Sequence, residues 1–330
     1  MYRGTVRRKE SSVVIRYIGI RVLWFIPTVL SIAAVVFIIM QATPGSPFTS
    51  GGANMRPEDI ARMEEQYGLD RPLIVQFGSY VWNAAQGDFG ESYARRPQKV
   101  GDIVARSFPV SFHLGVMGLT FAAVGGLTLG ILAAVNQNGL TDYFSVTLAI
   151  LFFSVPNFVL GILLLLLFVF WIPGWTGISF FNLGGWDSPK DWILPTIALG
   201  AGPLAIIARY TRSSMIDVIR SDYVRTARAK GLAEQKVILK HVLKNALIPV
   251  ITLLGPLLAA LATGSFFVEQ IFAVPGMGKF FVTSMQAKDQ PMILGVVLIY
   301  GVFLAIMNLL VDVFYGVIDP RIRLTGGRGD

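Results

Sequence analysis

Residues 209–245 read RYTRSSMIDVIRSDYVRTARAKGLAEQKVILKHVLKN, a charged segment within a very apolar chain. The segment holds nine lysine and arginine residues against three acidic ones, and long hydrophobic runs at 192–208 and 246–268 flank it. It carries too much charge to enter lipid, and an excess of positive charge is typical of loops on the cytosolic side of a membrane. The sequence therefore predicts a cytoplasmic loop between two membrane-spanning helices.

The composition of the whole 330-residue chain is that of an integral membrane protein. Hydrophobic residues make up 54% of the chain and charged residues 15%, a balance that excludes a soluble globular domain. The absence of cysteine excludes disulfides and thiolate metal sites, and the two histidines, His113 and His241, lie far apart in the sequence. We therefore expect an all-α polytopic membrane protein that binds no metal and no nucleic acid.

Six hydrophobic runs are long enough, or nearly long enough, to cross the roughly 30 Å apolar core of a bilayer as helices. The predicted spans are 22–42, 109–135, 143–172, 192–208, 246–268 and 292–318. The first is longer than the apolar core of a secretory signal peptide, so we interpret it as an uncleaved span. Gly126 and Gly130 in the second have the GxxxG spacing that is typical of close helix contacts, a spacing that also arises by chance in glycine-rich membrane helices.

The distribution of basic residues predicts that both termini lie in the cytosol. In this arrangement the cytosolic segments 1–21, 209–245 and 319–330 carry 18 of the 28 lysine and arginine residues. An insertion at 43–107 and an external loop at 269–291 then lie on the opposite side of the membrane.

The insertion 43–107 is predicted to be a small helical domain. Pro57 starts a first helix that Gly68 ends, and a second helix runs from Leu73 to about Gln86. Their apolar faces are expected to pack on each other and on the membrane surface. Two roles stay open, a structural cap or a contact with a partner or solute.

Ionisable residues inside the predicted spans are scarce, and those present do not form a proton path. Asp312 lies one turn after Asn308 near the cytosolic end of the last span, which favours helix packing, and His113 lies near the outer interface. A GxxxxGK[ST] loop that would cradle nucleotide phosphates is also missing. Energy for driven transport would therefore come from another polypeptide.

Within the charged loop, Tyr223, Ala227 and Gly231 fall at i, i+4 and i+8 and so share one face of a helix. The side chains of this row become smaller along the helix, which would let another protein approach closely. Gly231 suits a helix end in the left-handed conformation, and helical spacing resumes from Ala233 to Lys244. The alternative is a surface helix held by anionic lipid headgroups.

The string DYVRTARAKGL at 222–232, followed by NALIP at 245–249, resembles the cytoplasmic coupling loop of permeases in the dipeptide/oligopeptide/nickel group of ABC importers. Further strings similar to that family are GLDRP at 68–72, GDFG at 87–90, SVPNF at 154–158, GSFFVEQIF at 264–272, PGMG at 275–278 and DPRIR at 319–323. The insertion after the first span is similar to the B-type subunit of these systems. The broader Glu-Ala-Ala-x3-Gly motif would place its acid at Arg225, so the chain departs from it and follows the peptide-group version.

The resemblance implies six membrane helices of the type I ABC importer permease kind, in the cytoplasmic membrane of a prokaryote. It implies a second, C-type permease subunit, two cytosolic ATPase subunits that hold ATP and magnesium, and an extracellular solute-binding protein. The permease itself would be non-catalytic and bind no cofactor. A di- or oligopeptide is the expected solute, with nickel chelates and oligosaccharides as alternatives. The residues that the resemblance assigns to ATPase coupling are Asp222, Tyr223, Arg225, Thr226, Ala227, Arg228, Lys230 and Gly231.

Breaks in the predicted helices suggest where the solute pathway bends, because freed backbone groups in lipid are tolerated next to a cavity or neighbouring helices. Pro156 and Asn157 interrupt the third span, and Glu269 with the turn at Pro275 and Gly276 forms a candidate external gate. A structural carboxylate that accepts hydrogen bonds from this turn is the alternative role of Glu269. An aromatic cluster is interpreted as an interfacial belt; its members are Trp171, Trp175, Phe180, Phe181, Trp186 and Trp192.

Two other classes of function fit the sequence less well than the importer does. A stand-alone secondary carrier or channel would need coupling or selectivity groups in the spans, and buried charge is scarce there. A membrane-embedded enzyme would need an activated nucleophile, and Ser111 and Ser154 have no recognisable base beside them.

Overall fold

The structure is a computed structural model that describes residues 3–48, 56–262 and 266–318. Over these residues the chain is helical, apart from connecting turns and an isolated antiparallel bridge between Glu91 and Lys99. The all-α class predicted from the sequence is therefore confirmed. The predicted tail 319–330 and the side chain of Asp312 lie outside the described residues.

Fourteen α-helices are found in the described part of the chain. They are α1 (Arg3–Ala42), α2 (Pro57–Gln66), α3 (Leu73–Ala85), α4 (Val100–Val135), α5 (Leu140–Ser154), α6 (Asn157–Leu165), α7 (Ile172–Thr176), α8 (Pro189–Ile219), α9 (Asp222–Ala229), α10 (Glu234–Lys236), α11 (Leu243–Ala262), α12 (Phe266–Ile271), α13 (Met277–Gln286) and α14 (Gln290–Ile318). Two π-helical segments complete the order, Leu166–Trp171 between α6 and α7 and Val237–Val242 between α10 and α11.

Six helical stretches in the described residues are long and apolar enough to cross a membrane, in agreement with the six-span class predicted. They are Gly19–Ala42, Val100–Val135, Asn157–Thr176, Pro189–Ile219, Glu234–Ala262 and Gln290–Val311. The helix α5 is a shorter apolar helix.

The run predicted as the third span is broken at Val155 and Pro156. Helix α5 ends at Ser154, Val155 is extended with φ −89° and ψ 120°, and Pro156 precedes the first residue of α6. A proline disfavours the helical conformation of the residue before it, which explains the break. The candidate span in this region therefore begins only at Asn157.

The chain divides into two compact units. Among the described residues, one unit comprises those up to Pro109 together with Lys279–Val313, and the other comprises those of Val110–Gly278 together with 314–318.

In the first unit, the buried carboxylate of Asp289 organises the insertion. It accepts hydrogen bonds from the Ser92 hydroxyl and, at 2.9 Å, from the Tyr93 amide. It also accepts one from the Met292 amide at 3.4 Å, in the first turn of α14. Asp289 thus caps α14 and fixes the loop at 92–94 to it, since a carboxylate satisfies amide groups that a helix start leaves open.

In the second unit, α8 is the central helix and packs against α5, α6 and α11. Two glycines of α4 lie against its backbone. A Cβ atom on Gly126 would lie 2.8 Å from the Ile207 Cβ, and one on Gly130 would lie 2.6 Å from the Thr211 Cβ and 2.7 Å from the Ala208 oxygen. The sequence left open whether the GxxxG spacing marks a close helix contact or a chance pair, and the structure shows a close contact, between α4 and α8.

Candidate functional site

The charged loop folds as the short helix α9, a turn, and a second helical stretch that leads into α11. Ser221 precedes α9 in an extended conformation, with φ −72° and ψ 151°. Asp222 in the first turn and Arg228 in the last turn match the helix dipole. Gly231 has a φ of +73°, so it adopts the left-handed conformation predicted for it beyond the end of the helix.

One face of α9 is buried in the protein's own core. Val224 and Ala227 pack in a cluster with Met215 of α8 and with Val237 and Val242 of the π-helical segment. These two residues of α9 lie at i and i+3, the spacing of an apolar stripe. This helix is therefore anchored to α8 and to the start of α11.

The structure corrects the predicted docking row of Tyr223, Ala227 and Gly231. Ala227 is buried, whereas Tyr223 is exposed and its hydroxyl accepts a hydrogen bond of 2.9 Å from the Asn245 amide. Gly231 lies beyond the last residue of α9, so it does not share a helix face with the other two. Helical spacing groups residues onto one face, but the turn at 230–233 interrupts that spacing before the third member.

The outer face of α9 is polar and exposed. Arg225 forms a 3.2 Å ion pair with Asp222, and both side chains are largely exposed, so the pair contributes only about 0.2–1 kcal/mol to stability. The Thr226 hydroxyl donates to the Asp222 carbonyl oxygen at 2.9 Å. Together with Lys230 just after the helix, these side chains form the outer surface of α9, here defined as Asp222, Arg225, Thr226 and Lys230.

Arg228, which the resemblance also assigns to ATPase coupling, is exposed and is paired within the loop. Its guanidinium donates two hydrogen bonds to the Glu234 carboxylate, at 2.6 and 3.0 Å, and so joins α9 to α10 across the turn. The carboxylate beside it raises the pKa of Arg228 further, and the guanidinium stays charged. Glu234 was not among the predicted site residues, because only the turn at 230–233 brings it next to α9.

An ion pair between a buried carboxylate and a partly exposed arginine lies next to the loop, and it was also not predicted. Arg212 of α8 donates two hydrogen bonds to Asp142 of α5, at 2.6 and 2.7 Å, and the Asn138 amide donates a third at 2.9 Å. The Asp142 residue is only 3% exposed. This pair ties the start of α5 to α8 close to where the charged loop begins.

Beside this ion pair, a cavity of about 420 Å³ lies between α4, α5 and α8. Its lining is largely aliphatic, and Arg209 and Arg212 supply the positive charge. The Arg209 guanidinium lies 5.9 Å from the ring centres of both Phe153 and Tyr210.

The candidate external gate is a buried turn around Glu269. This residue is fully buried, and its carboxylate accepts a 2.7 Å hydrogen bond from the Gly278 amide. The Met277 amide next to it donates to the Ser111 hydroxyl at 2.8 Å. A Cβ atom on Gly278 would lie 2.8 Å from the carboxylate, so the turn leaves no room for a side chain there. Such contacts are those expected if Glu269 is a structural carboxylate that accepts hydrogen bonds from the turn. A role of Glu269 in gating stays a prediction.

The two segments that carry pathway candidates, one with Pro156 and Asn157 and one with Glu269, are neighbours in the structure. Phe158 of α6 and Phe267 of α12 have ring centres 5.7 Å apart. A Cβ atom on Gly161 would lie 3.2 Å from the Phe272 ring. The break at Pro156 and the segment that carries Glu269 therefore belong to one packed region.

The predicted aromatic belt separates into two parts. Trp186 and Trp192 pack with His113, whose ring lies edge-on to both at 5.6 and 4.9 Å. Trp171 and Trp175 are exposed on the surface of the protein. Across the residues that the structure describes, no group of three His, Cys, Asp or Glu side chains is placed to hold a metal ion.

Comparison with known proteins places this architecture in a family. Residues 126–324 match the family described as binding-protein-dependent transport system inner membrane component, and residues 13–115 match the family of its N-terminal region. The dipeptide transport system permease protein DppB of Bacillus subtilis is 47% identical over 298 residues, which cover 90% of this chain and 94% of that protein. The oligopeptide transport system permease protein OppB of Escherichia coli is 40% identical over 314 residues, which cover 94% of this chain and 99% of that protein.

A solved structure supports the fold. The crystal structure of an amino acid ABC transporter with histidines matches 64% of this chain and 92% of that chain, with a TM-score of 0.50 and 15% sequence identity. At this identity the likeness concerns the fold alone.

Proposed function

Because the chain belongs to the family of binding-protein-dependent transport system inner membrane components, we propose that it is the permease subunit of an ATP-driven importer. The relatives that match almost the whole chain are named dipeptide and oligopeptide permeases, so a dipeptide or short peptide is the proposed solute. In this proposal the chain forms half of the pathway and carries out no bond chemistry.

The proposed assembly contains a second permease, two ATPase subunits and an external solute-binding protein. ATP and magnesium would be held by the ATPase subunits, and this chain would bind no cofactor. Its six spans would lie in the cytoplasmic membrane of a prokaryote, with both termini and α9 in the cytosol. The basic charge of the loop supports this orientation.

The construction of α9 is the observation that carries the proposal. Its outer surface is polar and open, as a docking surface requires, while Val224 and Ala227 pack into the core with Met215, Val237 and Val242. A force applied to the outer surface would therefore reach both α8 and α11. The Ser214 hydroxyl, which donates to the Ala246 oxygen at 2.9 Å, joins the same two helices.

The proposed mechanism is a rigid-body transfer of movement. Closure of the ATPase subunits would displace α9, and the shared core would carry that displacement into α8 and α11. The spans would then exchange inward-open for outward-open arrangements, since a packed core favours discrete states over gradual deformation. Such a cycle needs different contacts in the two states, and the outer surface of α9 supplies the contacts that the ATPase subunits can change.

A double charge reversal on the outer surface tests the proposal. Arg225→Glu with Lys230→Glu should abolish dipeptide uptake by cells and the recovery of ATPase subunits with the protein in mild detergent. Both side chains are exposed, so the amount of protein in the membrane should not change. The matched control is Arg62→Glu with Lys99→Glu, the same charge change at exposed positions of the insertion.

Normal uptake and normal ATPase recovery in the Arg225/Lys230 variant would contradict docking at α9. Recovery of the wild-type chain alone, together with peptide uptake into vesicles without ATP, would instead support a stand-alone carrier.

A further inference from the structure

Helix α3 of the insertion leaves an apolar face uncovered. Ile74 is 86% exposed and Trp82 is 70% exposed, and both lie on the same side of the helix as Gly78, because positions i, i+4 and i+8 share a face. A Cβ atom on Gly78 would meet no atom within 4 Å. Val75 widens the same exposed face. An uncovered apolar patch of this kind marks a surface that contacts lipid or another protein.

The opposite face of α3 is occupied by the insertion itself. The Gln76 side-chain amide donates to the Leu69 and Arg71 carbonyl oxygens, at 2.9 and 2.7 Å. Gln76, Ser79 and Asn83 also line a cavity of about 250 Å³. The polar side of α3 therefore faces the insertion, and the apolar side faces away from it.

The contacts of α3 place it at the ends of two membrane spans. Phe77 packs on Phe37 of α1 with ring centres 5.3 Å apart, and Gln76 accepts a 3.0 Å hydrogen bond from Gln41 in the last turn of α1. One turn further along α3, the Tyr80 hydroxyl donates to the Pro291 oxygen in the first turn of α14, at 3.4 Å. A helix that touches the ends of two spans at adjacent turns lies across them, at the level of the membrane boundary.

The composition of α3 and its place at the ends of two spans identify lipid as the occupant of the apolar face. Val35, Ile38 and Ile39, on the side of α1 away from Phe37, are well exposed in a helix that is long and apolar enough to cross a bilayer. The Phe37–Phe77 contact holds α3 against the last turns of this helix. Helix α3 contains no charged residue, and a tryptophan near its end is typical of the membrane interface.

We propose that α3 is an interfacial helix whose Ile74–Trp82 face enters the lipid leaflet next to the insertion. Burial of apolar side chains, rather than attraction to anionic headgroups, holds it there. The insertion is thereby attached to the bilayer directly as well as through α1 and α14. This proposal depends on α1 and α14 crossing the membrane and not on the nature of the solute.

Site-directed spin labelling tests the proposal, because the chain has no cysteine to remove. Ile74→Cys and Trp82→Cys are labelled in the full-length protein with its co-purifying subunits, in phosphatidylcholine nanodiscs. Ser79→Cys and Asn83→Cys on the polar face are the matched controls. Collision rates are measured with oxygen, which concentrates in lipid, and with a water-soluble nickel chelate.

Labels at positions 74 and 82 should show a higher ratio of oxygen to nickel collisions than labels at 79 and 83. Equal ratios on the two faces would show that the apolar face meets water, and would overturn the proposal. Exclusion of both reagents from 74 and 82 would also overturn it, because a protein partner would then cover this face.

Discussion

Ala227 shows how a single side chain changes the design of an experiment. Its small size suggests a site for close approach by a partner, yet it fills the protein's own core beside Val224. A substitution such as Ala227→Glu would bury a carboxylate next to Val237 and disrupt the loop itself. Loss of transport in that variant would therefore not report on docking, whereas substitutions at exposed Arg225 would.

The ion pair of Asp142 and Arg212 leads to a prediction about stability. Arg212→Met leaves the buried Asp142 carboxylate without its cationic partner, and we expect the free energy of unfolding to fall by about 1–3 kcal/mol. Thermal unfolding of the purified protein in detergent would measure the change. Arg220→Met is the matched control, because Arg220 is exposed at the end of α8.

Addition of Asp142→Asn to Arg212→Met should restore much of the lost stability, since no uncompensated charge is then buried. If the single and double variants unfold at the same temperature, the loss does not come from an unpaired charge and the explanation is wrong.

The same pair marks a limit of prediction from sequence at the scale of residues. Asp142 and Arg212 are separated by 70 positions, and neither stands in a recognisable motif. Helical periodicity can group residues onto a face, as it does for Val224 and Ala227, but it does not say which face meets the core. Contacts between distant helices depend on packing that no local pattern encodes.

At the scale of elements, the contact between α4 and α8 predicts a strong effect of one methyl group. Gly130→Ala would place a Cβ atom 2.6 Å from the Thr211 Cβ, so the helices must separate, at a cost of about 1–3 kcal/mol. Gly202→Ala is the matched control in α8, because a Cβ atom there meets nothing within 4 Å. Expression level and thermal unfolding in detergent would compare the two variants, and equal stability would show that the contact is looser than described.

Elements were more predictable than contacts, because their signals are local. Pro57 and Gly68 bound α2 as expected, and Pro156 breaks the third run. The π-helical segment Val237–Val242 had no such signal, because its pattern of apolar residues resembles that of an ordinary α-helix. The residues that pack against α9 in the core could not be predicted either, because they come from segments on both sides of α9 in the sequence.

At the scale of the whole molecule, the orientation in the membrane can be tested with single cysteines. The label positions are Arg62→Cys in α2 and Arg225→Cys in α9, which are both exposed. We expect a membrane-impermeant maleimide to label position 62 in intact cells and position 225 only after the membrane is opened. Labelling of position 225 in intact cells would contradict a cytosolic location of α9, and protection of position 62 would contradict an external insertion.

The glycine contact of α4 also matters for measuring motion. Because the backbones of α4 and α8 meet at Gly126 and Gly130, one helix cannot advance past the other by a turn without a clash. The separation of these two helices should therefore stay constant while the rest of the molecule rearranges. The distance between a probe on α4 and a probe on α8 would then be a constant reference. The displacements of α9 and α11 can be measured against it in every nucleotide state.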